Sequence, residues 1–406
     1  MDVVHERCAG IDVHKRFVTV AVRIGAAKPT AREFSTDTAS LLELADWLQS
    51  QRVEHLAMEA TGAYWKPVYN LMEAAGLHAI IGNATQMKGV PGRKTDVGDA
   101  EWICDLHRHG LVKPSFIPPR AQRELREVVR YRVTLVEERA AEANRIAKVL
   151  EGANIKLASV ATDILGKSGR AMLAAIVNGT TDPEQLADMA LGRMRNKHDA
   201  LVRALRGDVG AHQRMMLRMQ LEHVEHLDRQ IAQLDAEVAA RLDPYRREIE
   251  RLDTIPGVDQ RAAETILAEV GVDMKQFPNA DHLVSWAGMC PGSNESGGKR
   301  RRARTRHGNP TLRRVLTQAG QAAGRTKSTY MGAMYRRIAA RRGGKKAAIA
   351  VGRSILEIAY HVLRDGVVYE ELGVNYFDER KQASVLRNAV RRIERLGYRV
   401  TLAAAV

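Results

Sequence analysis

The chain reads as an α/β domain followed by a helical remainder. The expected order is a three-layer mixed sheet, central coiled-coil helices, and a mainly helical C-terminal domain with a helix-hairpin-helix-like element. Three observations predict this. Over the first hundred residues, short apolar runs of period two are separated by helical patterns, as when strands alternate with helices. From about residue 118 the apolar spacing lengthens to three and four and is sustained over two long segments. Near residue 256 a Pro-Gly turn stands between two helical patterns. The expected boundaries are 1–115, 116–251, 252–375 and 376–406, several domains for a chain of 406 residues.

In the first region "CAGIDVHKRFVTVAVRI" reads as a hairpin, with Ile11 and Val13 on one face, Gly10, Asp12 and His14 on the other, and His14-Lys15-Arg16 as the turn. "TAREFST" adds a third strand. "DTASLLELADWLQSQ" follows as a helix with Leu41, Leu44, Ala45 and Leu48 on one side and Asp37 or Thr38 as its N-cap. "VEHLAMEAT" is an apolar strand ending at Glu59, "YWKPVYNLMEAAG" a helix closed by Gly76, and "LHAIIGN" another strand. A helix starting near Thr95 would carry Asp96 and Asp99 on one face.

Two heptad seams mark the central region. Val129, Val133, Val136, Ala140, Ala143, Ala147 and Leu150 form one; Leu217, Val224, Ile231 and Val238, with Leu227 and Leu234 between, form the other. They predict an antiparallel pair or a dimerisation coil, and so a homo-oligomer, dimer or tetramer. The insertion 151–212 starts one helix at Asp182-Pro183.

The third region opens with "LDTIPGVDQRAAETILAEVG", whose turn at Gly257 would offer backbone N–H groups to a phosphate. "SNESGGKRRRARTRHGNP" reads as a basic loop, helix continues to about Gly373, and 378–399 forms a basic amphipathic tail.

Lys and Arg total 63 against 48 Asp and Glu, a formal charge of +15, which points to a polyanionic partner. No apolar run reaches the length of a membrane span, and "MDVVHERCAG" lacks a signal layout. The expectation is a soluble cytoplasmic protein. Cys8, Cys104 and Cys290 form no CxxC pair and read as small core residues, with neither a disulfide framework nor structural zinc.

Against this basic background the carboxylates stand out. Asp12 lies in an apolar strand, Glu59 ends another, and Asp96 and Asp99 share a helix face. At 4 Å two like charges cost roughly 4 kcal/mol at an effective dielectric of 20. In a fixed pocket a proton or a hard divalent cation relieves that cost, so the four residues read as ligands for Mg²⁺ (or Mn²⁺). The plain alternative for Asp96 and Asp99 is a helix first turn favoured by the dipole. His14 reads as a surface histidine, with a metal or phosphate role as the alternative. Trp65, Tyr64 and Tyr69 read as core packing rather than base stacking. His107 and His109, two apart on a helix, are assigned nothing.

Five segments occur in order: "GIDVHK", "MEATGAYWKPVYNLME", "KTDVGDAEWICDL", "TIPGVDQRAAETILAEVG" and "SWAGMCPGSNESGGKRRRARTRHGNPTLRRVLTQAG". Together they resemble the DEDD transposases of bacterial insertion sequences, the IS-one-ten family, from Gly10 to about Tyr369. The resemblance implies a RuvC-like first domain of ribonuclease H type. Its four acidic positions map onto Asp12, Glu59, Asp96 and Asp99, the residues chosen above on chemistry. It also implies a serine that attacks DNA and becomes covalently linked to it. Ser296 in "ESGGK" is the matching position and Ser293 the nearby rival. Gly297 and Gly298 would admit a phosphate close to the backbone. Lys299, Arg300, Arg301, Arg302, Arg304 and Arg306 would hold the strand and stabilise the transition state; His307 is a candidate base for the serine.

The expected function is therefore a bacterial, nucleoid-associated transposase or recombinase acting on double-stranded DNA. Strands would be cleaved and exchanged through a serine-linked intermediate, and neither domain would cleave alone. The resemblance further implies a structured guide RNA encoded beside the gene. Two alternatives remain: a RuvC-like endonuclease or junction resolvase in which water attacks, and a non-catalytic scaffold.

Overall fold

The computed structural model describes residues 2–60, 62–82, 96–292, 295–296, 299–300, 305 and 307–402, with the backbone alone at 96, 97, 295, 296, 299 and 300. The chain divides into two compact units, Met1–Pro118 and Pro119–Val406.

The first unit is built on a five-stranded mixed sheet. Its strands are β1 (Arg7–Val13), β2 (Phe17–Ile24), β3 (Thr30–Ser35), β4 (His55–Glu59) and β5 (His78–Gly82), in the order β3-β2-β1-β4-β5. The first three are antiparallel neighbours; β4 runs parallel to β1, and β5 parallel to β4. Helices α1 (Thr38–Ser50) and α2 (Trp65–Ala74) connect them. Asp37 caps α1 by accepting from the Ser40 amide, and Gly76 ends the α2 segment at φ 77°. Leu41, Leu44 and Leu48 of α1 and Val68 and Met72 of α2 bury against Ile11, Val18, Val20, Leu56 and Met58. Helix α3 (Asp96–Arg108) covers the opposite face with Ala100, Ile103, Cys104 and Leu106. The mixed sheet with helices on both faces fits the three-layer α/β domain expected from the sequence.

β1 is buried on both faces because its α3 side carries only small residues before Asp12. Gly10 is the clearest case: a Cβ there would lie 2.3 Å from the Ala100 carbonyl oxygen and the Cys104 amide nitrogen. The strand reads as period two, yet both sets of residues are core.

The second unit is helical apart from a small hairpin. Its spine is α4 (Arg120–Gly152), separated from its long partner by α5 (Leu157–Val160), α6 (Lys167–Val177), α7 (Pro183–Asp188) and α8 (His198–Ala204). That partner is α9 (Ala211–Leu242), which returns antiparallel within the same chain. Glu124 meets Arg241, Arg132 meets Asp235, and Arg139 Nε donates to Asp228 Oδ1 at 2.6 Å. The insertion helices close over the far end of the pair around Ile146, Leu150, Met172, Leu201 and Leu217.

The first heptad seam needs correction. Val136 is 41% exposed and Ala140 is also exposed; the buried line on α4 is Leu125, Val129, Leu135, Glu142, Ile146 and Leu150. Two stripes of similar period share this helix. Packing selects the one with the larger Leu and Ile side chains, and a polar Glu142 paired with Arg145 interrupts it. Of the second seam, Leu217, Val224, Leu227 and Val238 are buried, while Ile231 and Leu234 are only partly so.

Beyond the pair come α10 (Arg246–Asp253), α11 (Gln260–Val270) and α12 (Ala280–Trp286), then the hairpin strands β6 (Glu295–Ser296) and β7 (Lys299–Arg300). α13 (Pro310–Arg325), α14 (Tyr330–Arg342) and α15 (Gly344–Asp365) follow. Helix ends at Asp365 on a left-handed Gly366, not near Gly373. The tail forms α16 (Tyr376–Glu379) and α17 (Gln382–Glu394), neither of which buries a residue.

Candidate functional site

The register places the first two carboxylates. Ile11 pairs with Met58 across the parallel β1–β4 ladder, so Asp12 and Glu59 follow at one level on neighbouring strands. Paired residues of a ladder share a face. Ile11 and Met58 face α1 and α2, so Asp12 and Glu59 stand on the α3 side.

α3 runs antiparallel to β1. Ala100 and Cys104 lie against Gly10, the Cys104 Sγ is 3.7 Å from the Cys8 Sγ, and the His107 ring meets His5. One turn before Ala100 the helix begins at Asp96, at the Asp12 end of the strand. The fold thus brings all four sequence-distant positions to one end of one face. Asp12 is 8% exposed and Asp99 half-buried. Only the backbone of Asp96 is described, and Thr95, expected to cap the helix, lies outside the described residues.

His14 is tied to this corner, its Nε2 lying 3.0 Å from Asp12 Oδ2 and its ring stacking on Phe17. It is a satisfied, partly exposed histidine with Asp12 as its partner, as expected from its place two residues on. Trp65 and Tyr69 meet edge to face at 5.8 Å and pack against the core, while Tyr64 is 43% exposed.

The other end of the sheet holds a histidine stack that sequence reading missed. Ring centroids are 4.3 Å apart for His5–His55, 4.7 Å for His5–His107 and 5.3 Å for His55–His78. Three of the four begin or precede strands, and the register alone aligns them. Burial, then the neighbouring His5 and His55, pushes His107 down to about 4. Cys8 and Cys104 are buried side by side as core thiols, whereas Cys290 is only partly buried.

An all-oxygen set of four carboxylates suits a hard divalent cation. Among the described residues, no three His, Cys, Asp or Glu groups are gathered to hold a metal ion; the Asp96 side chain is not among them.

In the second unit, Ser296 is not in an open loop but on β6, paired with Lys299 of β7, while Glu295 pairs with Arg300. Ser293, Gly297, Gly298, Arg301, Arg302, Arg304 and Arg306 lie outside the described residues. Gly257 has a packing reason: at φ 89°, a Cβ would come 2.3 Å from the Ala319 carbonyl oxygen of α13.

The fold and site define a class: an α/β carboxylate domain followed by a helical domain that carries a short basic hairpin. Residues 9–155 match the DEDD family model of IS110 transposases, described as a transposase. Residues 249–336 match the model of the transposase IS116/IS110/IS902 family. Between them the two models cover more than half of the chain, and it belongs to this transposase family. A similar protein of Streptomyces coelicolor, the uncharacterized 43.6 kDa protein of insertion element IS110, is 35% identical over 126 residues, 29% of each chain. This chain thus matches under a third of that relative's length. Among solved structures, T. thermophilus RuvC in complex with a Holliday junction substrate matches at 16% identity and a TM-score of 0.21, over 27% of this chain and all of that one. Among the described residues, no helix is long and apolar enough to cross a membrane.

Proposed function

We propose that this chain is the DNA transposase or recombinase of an insertion sequence, cleaving and exchanging strands through a serine-linked covalent intermediate. The observation that carries the reading is the convergence of Asp12, Glu59 and the start of α3, with Asp96 and Asp99, in a chain whose two matched regions are both transposase regions.

Asp12, Glu59, Asp96 and Asp99 would hold Mg²⁺ or Mn²⁺, which supplies charge neutralisation at a phosphodiester. His14 holds Asp12 in one orientation by its 3.0 Å contact. The serine hairpin acts on the scissile phosphate: the Ser296 hydroxyl loses its proton and its oxygen bonds to phosphorus. The 3′ or 5′ oxygen of the cut strand leaves with a proton, and a later DNA hydroxyl reverses the exchange. Bond energy is conserved in the phosphoserine, so no nucleotide cofactor is needed. Lys299, paired with Ser296, and Arg300, paired with Glu295, would hold the strand. A structured RNA encoded beside the gene would select the DNA partners by base pairing, and its backbone would occupy part of the positive surface.

Adduct trapping tests this. Co-expression with the DNA flanking the gene, in Mg²⁺ or Mn²⁺, should leave DNA bonded to denatured protein. Ser296→Ala and Asp96→Ala should each remove the adduct, and Ser293→Ala should retain it. Cut DNA without an adduct, still produced by Ser296→Ala, would sink the serine step in favour of attack by water.

A further inference from the structure

A fully buried carboxylate sits behind the serine hairpin, and nothing in the reaction described so far uses it. Glu269, on α11, has no exposed surface. Arg130 of α4 grips it with two bonds, Nε to Oε1 at 2.7 Å and Nη2 to Oε2 at 2.8 Å. Arg126, one turn earlier, lies 3.5 Å from Oε2 and also donates to the Ala268 and Glu269 carbonyls. The third partner is Asn309, whose Nδ2 donates to Glu269 Oε2 at 2.5 Å.

Asn309 is 8% exposed and has a second task. Its Oδ1 accepts from the Leu312 amide at 3.1 Å and so caps α13. The amide cannot turn over without opposing two donors or two acceptors, so its orientation is set at both ends. Asn309 also ends the return leg of the hairpin. One residue earlier, Gly308 lies flush on the outgoing leg: a Cβ there would fall 2.3 Å from the Gly288 amide nitrogen. Further out, Pro291 and Thr305 form an antiparallel bridge. Gly288 turns the outgoing leg at φ 71°, and Met289 is buried beneath it. The two legs are therefore clasped, and Glu269 holds the clasp from inside.

We propose that Glu269, acting through Asn309, is the positioning residue of the serine hairpin: it fixes the base from which β6 and β7 present Ser296. The inference deepens the function proposed above and rests on it. A buried carboxylate with two arginines could serve stability alone. What separates the two roles is the bond to Asn309, which adds to Arg130's two-bond grip and reaches the hairpin's base where it enters α13.

The test uses Asn309→Ser in the full chain. Serine still caps a helix but has no Nδ2 to donate. Two readouts are taken: hydrogen exchange of residues 288–308, and the rate of adduct formation with the DNA flanking the gene at saturating protein. Exchange in the hairpin and its legs should rise, with α11 and α13 still protected and DNA affinity unchanged. The adduct rate should fall by about tenfold or more, the weight of one hydrogen bond to a charged group. Asn309→Asp keeps the cap but sets an acceptor against Glu269 Oε2, and it should loosen the hairpin and slow the adduct at least as much as Asn309→Ser. Wild-type exchange and rate in Asn309→Ser would overturn the proposal, as would loss of protection throughout the second unit in step with activity. If the wild type forms no adduct, the serine reading fails. The exchange arm then decides positioning alone: hairpin-confined loosening supports it, and unchanged exchange overturns it.

Discussion

His107 shows how one side chain can carry a pH dependence that no motif announces. It is 4% exposed, its Nε2 has no hydrogen-bond partner among the described residues, and His5 and His55 stand against it. In the unfolded chain it titrates near 6.5; folded, near 4. The unfolded state therefore binds the proton first, and stability falls as pH drops from about 6.5 toward 4. The loss is on the order of 3 kcal/mol at the acid end. Thermal unfolding across this window should show a falling Tm, and His107→Phe should flatten much of the slope; an equal slope in the variant would place the effect in other groups. The individual carboxylates were legible because a charge in an apolar strand needs a partner. The histidine stack was not, because strand register brings His5, His55 and His78 together and the packing of α3 on the sheet adds His107. Glu269 was equally hidden: at a helical position among apolar residues it reads as an exposed face.

At the scale of elements, the contact between α3 and β1 sets the start of α3, with Asp96 and Asp99, at the Asp12 end of the strand. Gly10 allows it, since any Cβ there would lie 2.3 Å from the helix backbone at Ala100 and Cys104. Gly10→Ala should push α3 away from the strand and cost about 1–3 kcal/mol or more, since neither backbone atom can yield cheaply. Denaturant unfolding would measure the loss, and adduct yield under native conditions should drop with it; an unchanged yield would mean that α3 does not set the site. Strand and helix positions in this region were readable from period and caps, since local sterics and Asp37-type capping act within a few residues. The α4 seam was misread for a related reason. Period alone cannot say which of two stripes faces a partner 90 residues away, and the choice followed side-chain size.

For the whole molecule, the governing quantity is the charge of +15. Nucleic-acid affinity should weaken steeply with salt, by about 0.9 log units per phosphate neutralised on a DNA duplex for each tenfold rise in salt. Lys299→Ala and Arg300→Ala should each reduce that slope by about one contact, without altering thermal stability, because each leaves the two-residue ladder of β6 and β7 in place. A salt titration checks this; unchanged slopes would remove the hairpin from the interface.

The sequence alone determined the alternation of strands and helices and the capped helix starts, and it supplies the charge and the four carboxylates on which the proposed function rests. Those depend on local propensity, composition and the cost of placing charge among apolar residues. The tertiary structure decided which side of the sheet Asp12 and Glu59 share, how α3 lies against Gly10, which stripe of α4 is buried and what Glu269 is bonded to. Each of these is a contact between residues far apart in the chain, settled by volume, register and hydrogen-bond geometry that no local pattern encodes.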